Sequence, residues 1–444
     1  MNSPLLDALN SRVLVADGAM GTALQAQDLS LDDFANLEGC NEILNVTRPD
    51  VVRAIHRDYL AAGADLVETN TFGANLANLA EYDIADRIFE LSQAGAQLAR
   101  TTADEFGPER YVLGSVGPGT KLPTLGHVGH VALRDAYEQQ VRGMLEGGID
   151  AVLVETCQDI LQCKTAIIAA KRAMAVHGRV VPIIAHVTVE TTGTMLLGTE
   201  IGAALVALEP LGIDLIGLNC ATGPAEMSEH LRYLAKHAAI PLSVMPNAGL
   251  PQLGPDGAVY PLSPEELAAA LSRFVTEFGL RLVGGCCGTT DEHIRQAAAA
   301  MATLRPAARR PHSEPSVASL YQAVPFTQES SVLMIGERTN ANGSKRFREA
   351  MLEQRWDDCV AIARDQTRDG AHLLDVCVDY VGRDGVADMA EVASRFATAS
   401  TLPIMLDSTE VPVIRAGLEH LGGRCAINSV NYEDGDGPDS RFAK

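Results

Sequence analysis

The sequence predicts an α/β chain that contains a complete (β/α)8 TIM barrel followed by the first half of a second (β/α)8-type barrel. Two observations support this prediction. Short apolar runs alternate with longer amphipathic stretches eight times over about the first 300 residues, and four more times after a break. In addition, 47% of the 444 residues are hydrophobic and only 21% are charged, which is enough apolar material for large buried cores. An open doubly wound sheet stays an alternative, because periodicity does not report closure.

The eight strands of the first unit are predicted where apolar and β-branched residues cluster between turn signals. Glycine-containing segments such as AAGAD and EGGID precede two of them, as expected where a helix ends in a left-handed residue before the next strand. Amphipathic helices are predicted over residues 49–62, 133–147 and 264–278. The strands are predicted at residues 13–17, 65–70, 111–117, 151–156, 181–189, 215–220, 241–247 and 282–287.

The alternation stops in a proline-rich stretch, RPAARRPHSEPSVASLYQAVPFTQ, which predicts a linker or a strap across a surface. We therefore divide the chain into a first domain of residues 1–304, a linker of residues 305–328 and a truncated second domain of residues 329–444. Half a barrel has an unpaired sheet edge and an uncovered core, so we expect the chain to be part of a longer protein. The strands of the second domain are predicted at residues 331–337, 372–379, 402–408 and 425–430.

The charge balance and the cysteine count exclude several classes of function. The chain has 57 acidic and 35 basic residues, a net charge of −22, which disfavours nucleic acid and anionic membranes as partners. No apolar run approaches the ~18 residues of a membrane-spanning helix, and the first ten residues lack the pattern of a secretory signal. The nine cysteines, an odd number, do not indicate a disulfide framework. These features predict a cytoplasmic protein.

Three cysteines are predicted at the carboxyl ends of barrel strands, where the chemistry of such barrels takes place. Cys220 ends the sixth strand, and Cys286 and Cys287 end the eighth within the segment GGCCG. Three thiolates with one open position form a donor set for catalytic Zn²⁺. A zinc ion bound by thiolates suits a soft ligand such as a substrate thiol, so we predict alkyl transfer to a zinc-bound sulfur. A vicinal disulfide or simply buried thiols are the alternatives.

Several motifs carry a resemblance to known families. DGAMGT, ETNTFGAN, GLNCATGP, MPNAGLP and GGCCGTT resemble the zinc-dependent homocysteine methyltransferase family. IGERTNANGSKRF, LLDVCVD, MLDST and INS resemble the pterin-binding domain of the cobalamin-dependent methionine synthases. The two domains follow the order of the N-terminal half of that family, and the resemblance covers nearly the whole chain. It implies Zn²⁺, homocysteine, 5-methyltetrahydrofolate, and methylcobalamin carried by a cobalamin-binding domain that is absent from this chain.

The resemblance also implies roles for residues at the barrel mouth. Cys220, Cys286 and Cys287 are expected to bind the zinc as catalytic ligands. Asn247, between the two cysteine strands, is expected to fill the fourth position until homocysteine displaces it. The alternative for Asn247 is a turn-forming residue before AlaGly.

Acidic residues and backbone donors at the same mouth are expected to hold the amino-acid part of homocysteine. Asp17 and Glu155 end the first and fourth strands and, with Glu68, would accept hydrogen bonds from the substrate ammonium. Alternatively, these carboxyl groups bond loop N–H groups. Backbone N–H groups of the turn that begins with Gly18, Ala19 and Met20 are expected to hold the substrate carboxylate.

In the second domain, carboxyl and amide side chains suit the donor and acceptor edge of a pterin. Asp375, Asp407 and Asn428 are predicted at the ends of successive strands, and Asn340 in the turn after the first strand. A strand-end aspartate that caps the following helix is the alternative. The chain departs from the family at Cys377, where the LDVN-type motif usually has asparagine.

The predicted function is methyl transfer from methylcobalamin to a homocysteine thiolate, which gives methionine, with 5-methyltetrahydrofolate as the ultimate donor. One rival is a corrinoid-independent homocysteine S-methyltransferase that uses betaine or S-methylmethionine. Betaine-type relatives have an aromatic residue where this chain has Gly73. The other rival is a non-catalytic piece that binds homocysteine and zinc.

Overall fold

The N-terminal part of the chain forms eight parallel strands arranged in one sheet. The structure, a computed structural model, describes residues 3–254, 257–329, 331–430 and 432–443. The barrel strands are β1 Leu14–Val15, β2 Leu66–Glu68, β3 Tyr111–Val116, β4 Ala151–Cys157, β5 Ile183–Val187, β6 Leu215–Asn219, β7 Leu242–Met245 and, after a hairpin, β10 Leu282–Val283. Seven of these strands lie within their predicted ranges, and β4 extends one residue beyond its range, to Cys157.

The sheet closes into a barrel through its first strand. Leu14 of β1 pairs with Leu282 of β10, and an isolated bridge from Ala16 to Leu66 joins the same segment to β2. The remaining strands pair in chain order. The first domain is thus a (β/α)8 barrel rather than an open doubly wound sheet.

Helices pack around the barrel, and four of them begin at prolines, whose missing N–H is not needed there: Pro4, Pro49, Pro224 and Pro264. Gly63 and Gly148 end their helices in the left-handed conformation, with φ of 109° and 95°, as predicted. The helices are α1 Pro4–Ser11, α2 Met20–Gln25, α3 Leu44–Thr47, α4 Pro49–Ala62, α5 Leu76–Ala80, α6 Ile88–Asp104, α7 His130–Gly147, α8 Ile160–His177, α9 Ile201–Leu208, α10 Pro224–His237, α11 Pro264–Phe278 and α12 Asp291–Met301.

Apolar side chains fill the barrel and leave its polar end free for a site. Leu5 and Leu9 of α1 pack with inward-facing strand residues such as Leu113 and Leu153 in one buried cluster. Because α1 precedes β1 and its Pro4 carbonyl accepts a hydrogen bond from the Tyr111 hydroxyl, it covers the N-terminal ends of the strands. The C-terminal ends remain open as the barrel mouth.

A short antiparallel hairpin interrupts the barrel pattern between β7 and α11. Its strands are β8 Gln252–Gly254 and β9 Gly257–Val259. Leu253 is fully exposed, with a relative accessibility of 100%. The hairpin was not predicted from the sequence.

Residues 305–328 run along the barrel as a strap that ends in a second hairpin, β11 Ser316–Ala318 and β12 Ala323–Pro325. Arg309 donates hydrogen bonds to the carbonyls of Ala235, Ala238 and Ile240, at and beyond the end of α10. At the end of a helix the last carbonyls lack an intrahelical N–H donor, so the guanidinium caps the helix.

The second domain contains a four-stranded parallel sheet with strands in chain order, as expected for the first half of a barrel. The domain boundaries at residues 304 and 329 stay predictions. The strands are β13 Ile335–Asn340, β14 Leu373–Cys377, β15 Ile404–Asp407 and β16 Ala426–Asn428. The helices are α13 Lys345–Leu352, α14 Trp356–Arg368, α15 Gly385–Ala399 and α16 Val411–Leu418.

Two positions in this sheet differ from the prediction. Asn340 is the last residue of β13 rather than part of the following turn, because it pairs with Cys377 in the parallel ladder. Asp375 lies in the middle of β14, where it is 3% exposed, and Cys377 is the residue that ends the strand. The prediction placed the end of β13 too early, whereas its range for β14, residues 372–379, extends past Cys377.

The barrel and the second sheet meet through polar contacts. The buried Lys164 ammonium of α8 donates to the carbonyls of Leu421 and Gly423, at 3.0 and 2.9 Å, and the Tyr321 hydroxyl of the strap donates to the Thr398 carbonyl at 2.6 Å. Residues 398–424 make these contacts from the N-terminal ends of β15 and β16, so the C-terminal ends of the second sheet point away from this interface. Among the described residues, no helix has the length and hydropathy needed to cross a bilayer.

Candidate metal and substrate site at the barrel mouth

The three predicted cysteines lie together at the barrel mouth. The sulfur atoms of Cys220, Cys286 and Cys287 are all within 4.8 Å of one another, and the Cys220 and Cys287 sulfurs are 3.9 Å apart. All three are half-buried free thiols, so the vicinal disulfide does not form. Hydrogen bonds from Cys220 and Cys286 lower the pKa of Cys287, so the cluster carries thiolate character at neutral pH.

The backbone around the cluster adopts conformations that side chains usually avoid. Cys220 and Ala221, which follow β6, have φ of 58° and 57°. Thr156 in β4 has φ of 56°, which is costly for a β-branched residue, and its N–H donates to Asn219 Oδ1 at 2.8 Å. Such strain persists where the surroundings over-determine it, and it is concentrated at functional sites.

The spacing of the sulfurs fits one tetrahedral metal ion. With Zn–S bonds of ~2.3 Å, tetrahedral geometry places two sulfur ligands ~3.8 Å apart, close to the 3.9 Å between Cys220 and Cys287. A fourth donor is present at Asn247, whose side chain is 2% exposed and whose Oδ1 has no hydrogen-bond partner among the described residues. A buried carbonyl oxygen without a donor is costly unless another group, such as a metal, satisfies it.

The three predicted carboxyl groups also converge at this mouth. Glu155 accepts hydrogen bonds from the Ser115 hydroxyl at 2.5 Å and from Asn219 Nδ2 at 2.8 Å. Asp17 accepts one from the Glu68 N–H at 3.0 Å, while its Oδ1 has no partner among the described residues. Within the described part of the chain, no basic side chain pairs with any of the three carboxyl groups, so an ammonium group would find unsatisfied acceptors here.

Burial controls the protonation of these carboxyl groups. It raises the pKa of Glu155 to about 7. Burial, and then the neighbouring Glu155 and Asp17, raise the pKa of Glu68 well above its ordinary range, and burial does the same for Asp17. A cation in the site would reverse these shifts, because an opposite charge favours the ionised form.

Backbone donors lie at the N-terminus of α2, at the same mouth. The Ala19 N–H is already bonded to Thr289, to its carbonyl and to Oγ1. The N–H groups of Met20, Gly21 and Thr22 belong to the first turn of α2, where a helix provides no acceptors. These three N–H groups are the donors that remain for a substrate carboxylate. Gly18 and Ala19, which were predicted with Met20, line the same cavity.

Most of the predicted residues line one cavity of about 290 Å³, which is large enough for an amino acid, but Asp17 and Asn247 are not among its lining residues. It also contains residues that were not predicted from the sequence, among them Asn41, Glu42, Phe72 and Ser115. Asn219 connects the two halves of the site, because its Nδ2 lies 2.8 Å from Glu155 Oε2 and 4.0 Å from Cys286 Sγ. Its position directly before Cys220 was the only sequence signal that pointed to it.

In the second domain, three of the four predicted pterin residues form one hydrogen-bonded group. Asn340 Nδ2 donates to Asp375 Oδ2 at 2.8 Å and to Asp407 Oδ2 at 3.0 Å. Its Oδ1 accepts from the Asn342 and Gly343 N–H groups, which fixes the orientation of the amide. Burial raises the pKa of both aspartates, and Asp375 Oδ1 has no partner among the described residues.

The fourth predicted residue, Asn428, is placed beside this group by its pairing with Asp407 in the ladder. The departure from the family pattern, Cys377, is buried at the same end of the sheet. Its sulfur accepts a hydrogen bond from Asn342 Nδ2 at 3.5 Å.

The fold and the cysteine cluster at its mouth define a (β/α)8 barrel with a candidate metal site. The family profile described as Homocysteine S-methyltransferase matches residues 14–301, and the profile described as Pterin binding enzyme matches residues 336–444. The first match covers well over half of the chain. The chain therefore belongs to the homocysteine S-methyltransferase family, with a pterin-binding segment after the barrel.

Curated relatives are similar over the whole chain. The methionine synthases of Mycobacterium tuberculosis (strain ATCC 25618 / H37Rv) and Mycobacterium leprae (strain TN) are 70% and 68% identical to it over 446 and 451 aligned residues. Both matches cover 100% of this chain but 37% of the relative, so the chain spans little more than a third of their length.

Solved structures of a homocysteine methyltransferase share the barrel. The metallated form of MmuM from Escherichia coli has a TM-score of 0.55 and 24% identity, and covers 67% of this chain and 99% of its own. Its oxidised form has a TM-score of 0.53, 25% identity and the same coverage. The likeness to the metallated form shows the fold alone.

Proposed function

We propose that this chain supplies the homocysteine-binding and folate-binding parts of a methionine synthase. The homocysteine sulfur accepts a methyl group from methylcobalamin to give methionine, and 5-methyltetrahydrofolate is the ultimate methyl donor. The observation that carries this proposal is the cluster of three cysteine sulfurs within 4.8 Å at the barrel mouth. The cluster lies beside three carboxyl groups in a chain that also has a pterin-binding segment.

In this proposal Cys220, Cys286 and Cys287 hold Zn²⁺, and Asn247 Oδ1 is the fourth ligand before substrate arrives. When bound, the metal lowers the pKa of the substrate thiol and fixes the position of the nucleophile. Two features of the chain support this role. The sulfurs are spaced for tetrahedral coordination, and the Asn247 oxygen is buried without another partner among the described residues.

The carboxyl groups of Asp17, Glu68 and Glu155 bind the substrate ammonium. Asn219 spans the gap between Glu155 and the thiol cluster with a single side chain. Homocysteine has its ammonium and its sulfur at the two ends of a three-carbon chain, which suits a gap of this size. The N–H groups at the start of α2 then hold the substrate carboxylate.

The second domain binds the folate donor with Asn340, Asp375, Asp407 and Asn428. The pterin ring presents an N–H group beside an exocyclic amine, and two carboxyl groups bridged by an amide provide acceptors for both. The leaving folate nitrogen must gain a proton. The hydrogen-bond network of the site would assist this proton transfer.

The cavity at the barrel mouth is lined, among the described residues, by first-domain residues alone, which supports transfer through a carrier. The second sheet contacts the barrel from the N-terminal ends of β15 and β16, whereas Asp407 and Asn428 lie at the opposite ends. We propose that the carrier is a cobalamin-binding domain in the rest of the full-length protein. The proposal also includes a cytoplasmic location, which the nine free cysteines support.

The geometry around Gly73 counts against the betaine-type rival. The Gly73 N–H donates to Glu42 Oε1 at 2.7 Å, and a Cβ at residue 73 would lie 2.7 Å from the same oxygen. An aromatic side chain at this position would therefore require the Glu42 carboxyl group to move. The pterin-binding segment favours the folate route over a direct methyl donor.

The proposal is tested by metal analysis followed by methyl transfer. We expect one zinc per chain in the wild type and in Cys359→Ala, a control that removes a buried thiol far from the cluster, and loss of zinc in Cys220→Ala. Homocysteine should demethylate methylcobalamin in the presence of wild type or Cys359→Ala, but not of Cys220→Ala. Zinc without methyl transfer would favour a direct-donor enzyme or a non-catalytic piece. Wild type that binds no zinc under reducing conditions would refute the three-cysteine site.

A further inference from the structure

Thr289 joins two segments of the barrel mouth, the cysteine segment of residues 284–288 and the Asp17 segment of residues 16–19. Its side chain is buried, with 1% exposed. The Thr289 hydroxyl donates to the Cys286 carbonyl at 2.6 Å, and the same Oγ1 accepts from the Ala19 N–H at 3.2 Å. One hydroxyl therefore connects two segments that come from opposite ends of the barrel sequence.

Further hydrogen bonds run between the same two segments. The Gly285 N–H donates to the Asp17 carbonyl at 3.0 Å. The Ala19 N–H also lies 3.3 Å from the Thr289 carbonyl. The buried Tyr59 hydroxyl of α4 is 3.1 Å from both the Ala19 and the Thr289 carbonyl, so it bridges the two segments as well.

Glycines leave room for the Thr289 side chain on both sides. A Cβ added at Gly285 would overlap Thr289 Oγ1, and a Cβ added at Gly18 would lie 2.7 Å from the same atom. Only glycine at these two positions permits such a close approach of the threonine. The two glycines belong to the motifs GGCCGTT and DGAMGT, so Thr289 packs where the two motifs meet.

The connection matters because homocysteine would be held at its two ends. In the proposed site the substrate sulfur binds the metal, and the substrate ammonium is bound by carboxyl groups that include Asp17. A ligand held at two points gains affinity only while these points keep the spacing that the ligand spans. The Asn219 amide joins Glu155 to the cysteine cluster, and Thr289 joins the Asp17 segment to it.

We propose that Thr289 is a positioning residue for homocysteine, which sets the distance between the metal ligands and the segment that carries Asp17. This inference rests on the proposed function and deepens it. In the described part of the chain, the Thr289 hydroxyl bonds backbone atoms rather than sulfur atoms. Its loss should therefore change the affinity for the amino acid and not the affinity for the metal.

The variant Thr289→Val keeps the shape of the side chain and removes the hydroxyl. We expect its zinc affinity, measured against a chromophoric chelator, to equal that of wild type. Its affinity for homocysteine, measured by calorimetric titration of the zinc-loaded protein, should fall ~10-fold, the factor for one lost hydrogen bond. Thr289→Ser keeps the hydroxyl and should bind homocysteine as wild type does. Thr276→Val, which removes an exposed hydroxyl that also bonds carbonyls, should match wild type in both measurements.

Tyr59→Phe is a second variant, which removes the bridging hydroxyl and leaves Thr289 in place. We expect a smaller fall in homocysteine affinity at unchanged zinc affinity, and this variant decides the question if Thr289→Val does not fold.

Unchanged homocysteine affinity in folded Thr289→Val, or in Tyr59→Phe where the first variant does not fold, would overturn the inference while the metal site stands. Loss of zinc from folded Thr289→Val would also overturn it, because the threonine would then support the metal ligands alone. Wild type that binds no zinc, or binds zinc but no homocysteine, would overturn the proposed function. The two failures are therefore distinguishable.

Discussion

Glu155 is a residue at which substrate binding and stability oppose each other. Its carboxyl group is 4% exposed and is held by Ser115 and Asn219. Burial raises its pKa from 4.5 to about 7, so the folded protein retains a proton that the unfolded chain releases. The stability that this proton provides is present below pH 4.5 and is lost as the pH rises through 7.

Glu155→Gln should therefore stabilise the protein at high pH and weaken homocysteine binding. Relative to wild type, we expect the free energy of unfolding of the variant to rise by up to ~3 kcal/mol between pH 4.5 and pH 8. Denaturant unfolding at both pH values measures the difference, and calorimetric titration measures binding. Glu277→Gln, at an exposed position of α11, is the control. Equal pH dependence in wild type and Glu155→Gln would show that Glu155 is ionised in the folded protein at neutral pH.

Among individual residues, the sequence predicted the candidate metal ligands better than the residues that position other side chains in the site. Cys220, Cys286 and Cys287 stand out because thiols at strand ends are rare and specific. Ser115 and Asn219 do not stand out, since a serine and an asparagine within strands are common. Their importance depends on which atoms they face, and that information exists only in three dimensions.

Among the elements, the strap of residues 305–328 contacts the barrel through backbone hydrogen bonds, such as that from the His312 N–H to the Lys236 carbonyl, and through the side chain of Arg309, which caps a helix. Arg309 donates to three carbonyls at the end of α10, and burial lowers its pKa because no carboxylate bonds it there. A buried charge that bonds only carbonyls depends on all of these contacts being present.

Arg309→Met keeps most of the aliphatic chain and removes the donors. We expect it to lower the free energy of unfolding of the barrel by ~2 to 3 kcal/mol, the range for hydrogen bonds to charged groups. The adjacent Arg310→Met, at an exposed position, should have little effect. Equal unfolding midpoints for the two variants in urea would show that α10 does not need this cap.

The elements that the sequence predicted well are those with clear end signals. The helices at Pro49–Ala62 and Pro264–Phe278 match the predicted ranges because a proline begins each and a glycine follows each. The hairpin strands of three residues, β8, β9, β11 and β12, were missed because so short a segment shows no alternation. The strand β13 was placed too early, since its polar residues Glu337 to Asn340 read as a turn.

Across the whole molecule, buried histidines make the fold sensitive to acid. His56 is fully buried, and neither of its ring nitrogens has a partner among the described residues. Burial lowers its pKa from 6.5 to about 4. Between these pH values the His56 imidazole binds a proton in the unfolded chain but not in the folded protein. Stability is therefore lost as the pH falls from 6.5 to 4.

His56→Leu should remove this sensitivity. Between pH 7 and pH 4, we expect the stability of the variant to improve relative to wild type by up to ~3 kcal/mol. The comparison uses urea unfolding at several pH values, with the exposed His312→Leu as control. A difference between variant and wild type that does not change with pH would show that His56 titrates normally.

The closure of the barrel has a consequence for synthesis of the protein. Strand β1 contains two residues and pairs with β10, at the far end of the barrel sequence. At ~5 to 20 residues per second, translation of the intervening chain takes roughly 15 to 50 s. Throughout this time the nascent sheet has an unpaired edge. The barrel therefore cannot close until β10 has been synthesised, although the segment of β1 can already pair with β2.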